Sequence, residues 1–276
     1  MKCIILGSIL TDSSHTILTK SCHYSAMPLH PLLIKKSNYT IRTYEIDNQK
    51  KATVPALVKL MHEAAMQNVI DLKLSVWDLE PHEISWVLMR KNLVINELPK
   101  LGESVNIVTH CAGFEKFFTY RDYKIYNQEE KLIAYASSTW LLMNTVNRRM
   151  SRIPEFISAI ECPPENECLP RPKSKLPKFE EASLEKTFRV GWYDLDFNQH
   201  LNNVFYLQWI LESVPDELLE YGQLQQMDII YKLECKWKEV VTCETQILGS
   251  GHLLHRLIRQ SDGKLLSVAE TKWLTH

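Results

Sequence analysis

Apolar residues recur at intervals of three and four in two places along this chain. The first holds Leu57, Leu60, Met61, Ala64 and Ala65; the second holds Val204, Leu207, Leu211 and Val214. That spacing lines one face of a helix. Thr53 with Pro55 has the chemistry of a helix start, and Pro215 is the expected stop of the second helix. After each helix come runs rich in β-branched and aromatic residues, which predict strands. They lie near 84–96, 102–112, 116–127 and 131–144, then near 227–237, 239–249, 252–260 and 264–274.

The two halves are also similar residue by residue, which decides the expected architecture. Residues 131–141 and 264–274 share Lys, Leu, Ala, Trp and Leu at matching places, and Tyr44-Glu45-Ile46-Asp47 parallels Tyr193-Asp194-Leu195-Asp196. Each half reads as one strand, one long helix and about four further strands. An α+β fold follows: a tandem (double) hotdog, in which two strongly bent antiparallel sheets each wrap a helix. The expected divisions are an extension over 1–32, disordered or ahead of a start at Met27; a first hotdog unit over 33–155; a proline-rich linker over 156–186; and a second unit over 187–276.

Composition narrows the function classes. The 276 residues are 45% apolar and 24% charged with a formal net charge of -1, normal for a globular chain and no general attraction to nucleic acid or membrane. No run is long and apolar enough to span a bilayer. With 8 glycines there is no glycine-rich phosphate loop. The 7 cysteines are odd in number and fit no disulfide framework, which favours reduced thiols. Cys162 and Cys168 have poor zinc spacing, and His252 and His255 should face opposite ways on a strand. No cofactor or metal is expected. The leader is short, which favours a bacterial cytoplasm over a plastid.

Candidate chemistry concentrates in Asp194-Leu195-Asp196-Phe197-Asn198-Gln199-His200-Leu201-Asn202-Asn203. On an extended segment, Asp196, Asn198 and His200 at i, i+2 and i+4 turn an acid, an amide and a base to one side. Residues of these types ahead of a helix are also ordinary caps and turn formers. Aligning Asp47 with Asp196 sets Gln49 opposite Asn198 and Lys51 opposite His200, so the first copy lacks the imidazole. One furnished and one stripped copy suggest a division of labour, with chemistry in the second half and substrate holding in the first; the alternative is simple drift after duplication.

With these motifs the chain resembles the acyl-[acyl-carrier-protein] thioesterases, plant and bacterial double-hotdog enzymes that release fatty acids. The resemblance covers roughly residues 36–276. It is carried by 194–204, Trp209-Ile210-Leu211-Glu212-Ser213-Val214-Pro215, Glu234-Cys235, Ala136-Ser137-Ser138-Thr139-Trp140, Met143-Asn144 and Arg148-Arg149-Met150-Ser151-Arg152-Ile153-Pro154. It implies hydrolysis of the thioester of a fatty acyl carrier protein, with Asp196, Asn198, His200 and Glu234 as catalytic residues. An alternative scheme in the family takes the cysteine, here Cys235, as nucleophile. Strand alternation through 229–237 would put Cys235 on an apolar buried face, where a thiol is inert, and so favours Glu234. Backbone N–H groups at the start of a 201–214 helix are candidates for the oxyanion site. The first-half helix and Trp86-Val87-Leu88-Met89 are candidates for the acyl tunnel. The expected partner is an acidic acyl carrier protein, steered by Arg148, Arg149, Arg152, Lys173, Lys175 and Lys178; nucleic acid is not expected, and a homodimer is left open. The rival readings are a hotdog acyl-CoA thioesterase, a hotdog dehydratase and a non-catalytic acyl-thioester binding protein.

Overall fold

The first helix begins where Thr53 caps it: its hydroxyl accepts the Ala56 backbone N–H, and Pro55 needs no donor in the first turn. This helix, α1 (Val54–Asp71), buries Leu57, Val58, Met61, Ala64 and Ala65. The computed structural model describes residues 33–172 and 175–275; the extension expected over 1–32, and Lys173 of the expected basic run, lie outside the described residues. Four shorter helices are α2 (Val76–Leu79), α3 (Glu155–Ser158), α4 (Asn203–Leu211) and α5 (Asp216–Tyr221).

The strands are β1 (Ile34–Thr40), β2 (Ile84–Ile95), β3 (Ser104–Glu115), β4 (Phe118–Tyr126), β5 (Leu132–Asn144), β6 (Met150–Ser151), β7 (Leu184–Arg189), β8 (Gln223–Tyr231), β9 (Val240–Gly249), β10 (His252–Arg259) and β11 (Leu265–Leu274). They form one sheet in the order β1-β3-β4-β5-β2-β8-β11-β10-β9-β7, with β6 on β5. The order reads the same from both ends. β1, β3, β4, β5 and β2 of the first half match β7, β9, β10, β11 and β8 of the second. This is the expected double hotdog, joined by antiparallel pairing of β2 with β8. One continuous apolar core runs through both halves and takes in α1 and α4.

The junction carries charge as well as backbone bonds. Arg90 on β2 donates through Nε and Nη2 to Asp228 on β8, at 2.8 and 2.6 Å. Nη1 also reaches the Pro172 carbonyl at 3.3 Å, so the proline-rich segment lies over this outer face. Leu169 N–H donates to Asp122 at 2.7 Å, and Arg171 donates to the Ala112 carbonyl. The stretch read as linker over 156–186 ends in regular structure, since β7 takes its last residues.

Three expectations are corrected. The strand over 227–237 ends at Tyr231. Lys232 and Leu233 N–H both donate to Leu266 O, and the chain then leaves the sheet for a turn in which Lys236 N–H donates to Glu239. Alternation therefore fails there: Leu233 and Trp237 are 43% and 45% exposed, while Cys235 is fully buried. The helix over 201–214 spans only 203–211, and Pro215 caps α5 rather than ending α4. Finally, 195–201 is no extended lead-in but a closed loop.

The Arg90–Asp228 pair gives a stability prediction. Asp228→Ala strands a largely buried guanidinium, and loss of one member of such a pair costs about 3–5 kcal/mol. Guanidinium unfolding should show that drop, and Arg90→Met with Asp228→Leu should recover most of it.

Candidate active site

The loop at the head of α4 is built on one aspartate. Asp196 Oδ1 accepts the backbone N–H of Asn198 at 2.8 Å and of His200 at 3.2 Å. Its own N–H donates to His200 O at 2.8 Å, and Leu195 bridges Leu201 across the base. Gln199 takes a left-handed turn at φ 63°. The first half repeats this loop: Asp47 accepts Gln49 and Lys51 N–H at 2.8 and 3.0 Å, Ile46 bridges Ala52, and Lys50 has φ 63°. These bonds thus belong to the scaffold, whatever else Asp196 does.

The copies part at the side chains. His200 bridges Lys236, as Lys51 bridges Lys100. Leu201 N–H donates to Cys235 O, as Ala52 N–H donates to Pro99 O. In that register Glu234 answers to Leu98. The second half therefore sets an imidazole beside a carboxylate, His200 Nε2 to Glu234 Oε2 at 3.3 Å, where the first half has Lys51 and Leu98.

Glu234 has a second partner that sequence reasoning assigned elsewhere. Arg148, taken for a docking cation, donates through Nη2 to Glu234 Oε2 at 2.5 Å. A turn after β5 delivers it: Asn144 Oδ1 accepts Val146 and Asn147 N–H, and Arg148 is left-handed at φ 59°. Nothing in the order of residues signals this contact, which spans 86 positions. Arg149, Arg152, Lys175, Lys178, Lys232, Lys236 and Lys238 are exposed.

A cavity of about 450 Å³ opens at this loop. Asp196, Phe197, Asn198, Asn202 and Asn203 line one part of it. The rest is lined by the first half, including Met66, Val69, Leu72 and Leu74 from α1 and its exit, Trp86 and Trp140. Of the strand segment proposed for the tunnel, Trp86 lines it. The helix start is at hand, for Asn202 caps α4 by accepting Val204 N–H at 3.0 Å.

Burial raises the Asp196 carboxyl above the usual aspartate range, opposed by the N–H groups of His200 and Asn198; nearby Glu234 adds a smaller push upward. Burial, with the Glu239 carboxylate, pushes the Cys235 thiol up to about 12. A thiol so placed holds its proton and is a poor nucleophile. His255 is a satisfied core residue bonded to Thr245 and Thr271 at 2.9 Å, and His252 meets Glu270 at 2.7 Å. No cluster of metal-binding side chains occurs among the described residues. No described helix is long and apolar enough to cross a membrane.

Comparison with known proteins follows the same division. A family profile for the acyl-ACP thioesterase N-terminal domain matches residues 33–160, and one for the C-terminal domain matches 178–275. The chain is 31% identical over 261 residues to a chloroplastic palmitoyl-acyl carrier protein thioesterase of Cuphea hookeriana, covering 87% of this chain and 62% of that protein. It is 27% identical to a chloroplastic oleoyl-acyl carrier protein thioesterase 2 of Arabidopsis thaliana, covering 86% of this chain and 76% of that one. The chain thus spans about three-fifths of the length of the first of these relatives. Its fold matches the 12:0-ACP thioesterase of Umbellularia californica with TM-score 0.78 at 22% identity, over 91% of this chain and 100% of that one. A putative oleoyl thioesterase of Lactobacillus plantarum matches with TM-score 0.78 at 24% identity, over 88% and 96%.

The buried thiol has a direct test. Iodoacetamide at pH 8 should leave Cys235 unmodified in the native protein and alkylate it after denaturation, as read by peptide mass spectrometry.

Proposed function

We propose the reaction from one premise: the chain belongs to the acyl-ACP thioesterase family. The reaction is hydrolysis of a fatty acyl thioester on acyl carrier protein, releasing free fatty acid. The observation that carries it is the His200–Glu234 contact, present only in the copy whose loop borders the cavity.

The acyl tail enters the cavity and the thioester carbonyl stops at Asp196, Phe197 and Asn198. Both contacts to Glu234 converge on Oε2, which leaves Oε1 to accept a proton from water. That water attacks the carbonyl carbon, the C–S bond breaks, and His200 carries the proton to the departing thiolate. Imidazole suits this task because its two ring nitrogens can take up a proton on one side and give one up on the other. The Asn198 amide orients the carbonyl or the water, and the α4 N-terminus faces the developing oxyanion. Asp196 holds the loop and polarises the water. Arg148 is a positioning residue for Glu234. The four proposed catalytic side chains come from one chain, so the chemistry requires no second copy.

The carrier reading rests on charge. Arg149, Arg152, Lys232, Lys236 and Lys238 are exposed close in sequence to Arg148 and Glu234. Exposed Trp192, Tyr193 and Trp237 add apolar contact area beside them. An acidic carrier protein is steered to such a surface, which coenzyme A alone engages less fully.

Turnover is the test. Purified protein should release fatty acid from acyl carrier protein faster than from coenzyme A with the same chain, by mass spectrometry. His200→Ala and Glu234→Gln should each lower kcat by about 10²–10⁴ with folding retained, as expected for lost acid–base help. Asn198→Ala should cost about 10²–10³, and Cys235→Ala should stay within a few-fold of wild type. A dead Cys235→Ala beside an active Glu234→Gln installs the thiol mechanism instead.

The raised Asp196 pKa separates activity from stability. Protonation removes the carboxylate that holds the Asn198 and His200 N–H groups, so kcat/KM falls as pH drops through that raised value. The same shift favours the protonated form in the fold, so its stability contribution is full below the unfolded pKa and is lost as pH rises through the folded one. A pH series should therefore show activity lost on acidification with no fall in melting temperature from this group, and Asp196→Asn should lack that limb.

A further inference from the structure

The first-half sheet and the proline-rich segment bring two thiols into contact. Cys111 stands on β3 where the pairing with β4 shifts, and Cys162 follows α3. Cys162 Sγ donates to Cys111 Sγ at 3.4 Å, across 51 positions of sequence. Cys168 lies further along the same segment, where its Sγ meets the Ala112 and Pro163 carbonyls at 3.7 and 3.8 Å. All three are free and partly exposed, unlike Cys235 and Cys243, which are free and buried.

The pair sits at the cavity. Cys111 lines it, as does Phe114 from the same strand. Ile157 and Ile160, just ahead of Cys162, line it as well. The thiol contact therefore ties two parts of one wall, β3 and the segment that leaves α3. Residues 161–164 have no regular structure, so Cys162 can shift without breaking a helix or a strand ladder. The two sulfurs need to close by about 1.3 Å to reach bonding distance.

The two thiols are not equivalent. The Cys162 hydrogen bond holds the Cys111 thiol well below the ordinary thiol range, against the opposing effect of burial; Gly113 N–H, the Arg121 guanidinium and the Thr119 hydroxyl assist. The same bond, with burial, pushes the Cys162 thiol up. A thiolate beside a protonated thiol is the arrangement of an attacking cysteine and its resolving partner.

We propose that Cys111 and Cys162 form a reversible disulfide, made by low-molecular-weight disulfides as oxidant, which staples the α3 segment to β3 across the cavity wall. The Cys111 thiolate attacks one sulfur of the small disulfide, forming a mixed disulfide and releasing one small thiolate. Cys162 gives up its proton, and its sulfur attacks the Cys111 sulfur and expels the second small thiolate. The protein exchanges two S–H bonds for one S–S bond, and the small disulfide is reduced to two thiols that carry the two protons away. The closed loop takes in β4, β5, β6 and α3. The inference makes no use of the proposed reaction: the pair is a modification site whether or not a thioester is hydrolysed.

The test is peptide mapping of the full chain after incubation with glutathione disulfide, with remaining thiols blocked by iodoacetamide before digestion. A peptide pair joined through Cys111 and Cys162 should be the main cross-link, and dithiothreitol should remove it. Cys168→Ser should leave the link in place. Cys162→Ser should abolish it and leave Cys111 as the mixed disulfide with glutathione. Melting without reductant gives a second readout. Oxidised wild type should melt above the reduced protein, because the link constrains the unfolded chain, and Cys162→Ser should show no such rise. The proposal is overturned by the absence of any cross-link, by a main cross-link that omits either cysteine, or by a link that fails to raise the melting temperature. Each of those results leaves the proposed hydrolysis untouched, and failure to hydrolyse any acyl thioester leaves the staple standing.

Discussion

The antiparallel pairing of β2 with β8 is the constraint on which the rest depends. Each half is a sheet around a helix, and the cavity takes its lining from both halves. Joining the sheets edge to edge turns the second-half loop toward the first-half cavity. The backbone ladder fixes the register, and the Arg90–Asp228 pair fastens it on the outer face. A register slip of one residue would turn every side chain of β2 to the other face. The buried ion pair makes a slipped register costly, because it would leave both charges unpaired.

On that frame, duplication explains which part of the site is scaffold and which is chemistry. Asp47 and Asp196 hold the same loop with the same backbone bonds, so the aspartate is retained where no imidazole follows. The differences fall at Gln49 against Asn198, Lys51 against His200, and Leu98 against Glu234. Each changes a side chain and leaves the backbone path alone. The first copy carries lysine and leucine there; the second sets an imidazole beside a carboxylate. Evolution of the site thus required no new loop.

The sequence carried much of this in local patterns. Thr53 and Pro55 marked the start of α1, and the matching of 131–141 with 264–274 located β5 and β11 in equivalent places. These readings succeed because capping and periodicity are properties of neighbours along the chain. Asp196, Asn198 and His200 were legible as a cluster for the same reason, though a loop closed on Asp196 rather than an extended strand holds them. What failed was non-local. Ile229 to Trp237 alternates so regularly that nothing in it marks the departure at Tyr231. That break is set by Leu266, which accepts two N–H groups in succession, and by the Lys236–Glu239 turn. Cys235 is buried as predicted for a reason the alternation did not supply: its carbonyl accepts Leu201 N–H, and its side chain joins the core. Arg148 looked like a free cation because its partner lies in the other half.

The same limit explains why the polar row of Lys91, Ser138, Arg121 and Cys111 on the inner face of the first-half sheet is invisible in the sequence, and why it sits where it does. In β2 the pairing with β5 shifts between Leu88 and Arg90, with Met89 the extra residue. Leu88 faces inward opposite Trp140. Simple alternation would then send Arg90 inward and Lys91 out. The bulge reverses this: Arg90 falls opposite Thr139 on the outer face, where it meets Asp228, and Lys91 falls opposite Ser138 on the inner face. A second bulge, at Ala112 in β3, lets both Cys111 and Phe114 reach the cavity although they are three residues apart. Bulges re-aim side chains in this way and tend to occur beside functional sites. One inserted residue therefore does two things at once. It directs the guanidinium that locks the halves together outward, and it buries the next residue's amine on the inner face of the sheet. Substitution at Lys91 changes the chemistry of that face, while loss of the bulge would also undo the junction. The two properties are thus coupled through backbone geometry, although the residues that carry them point in opposite directions.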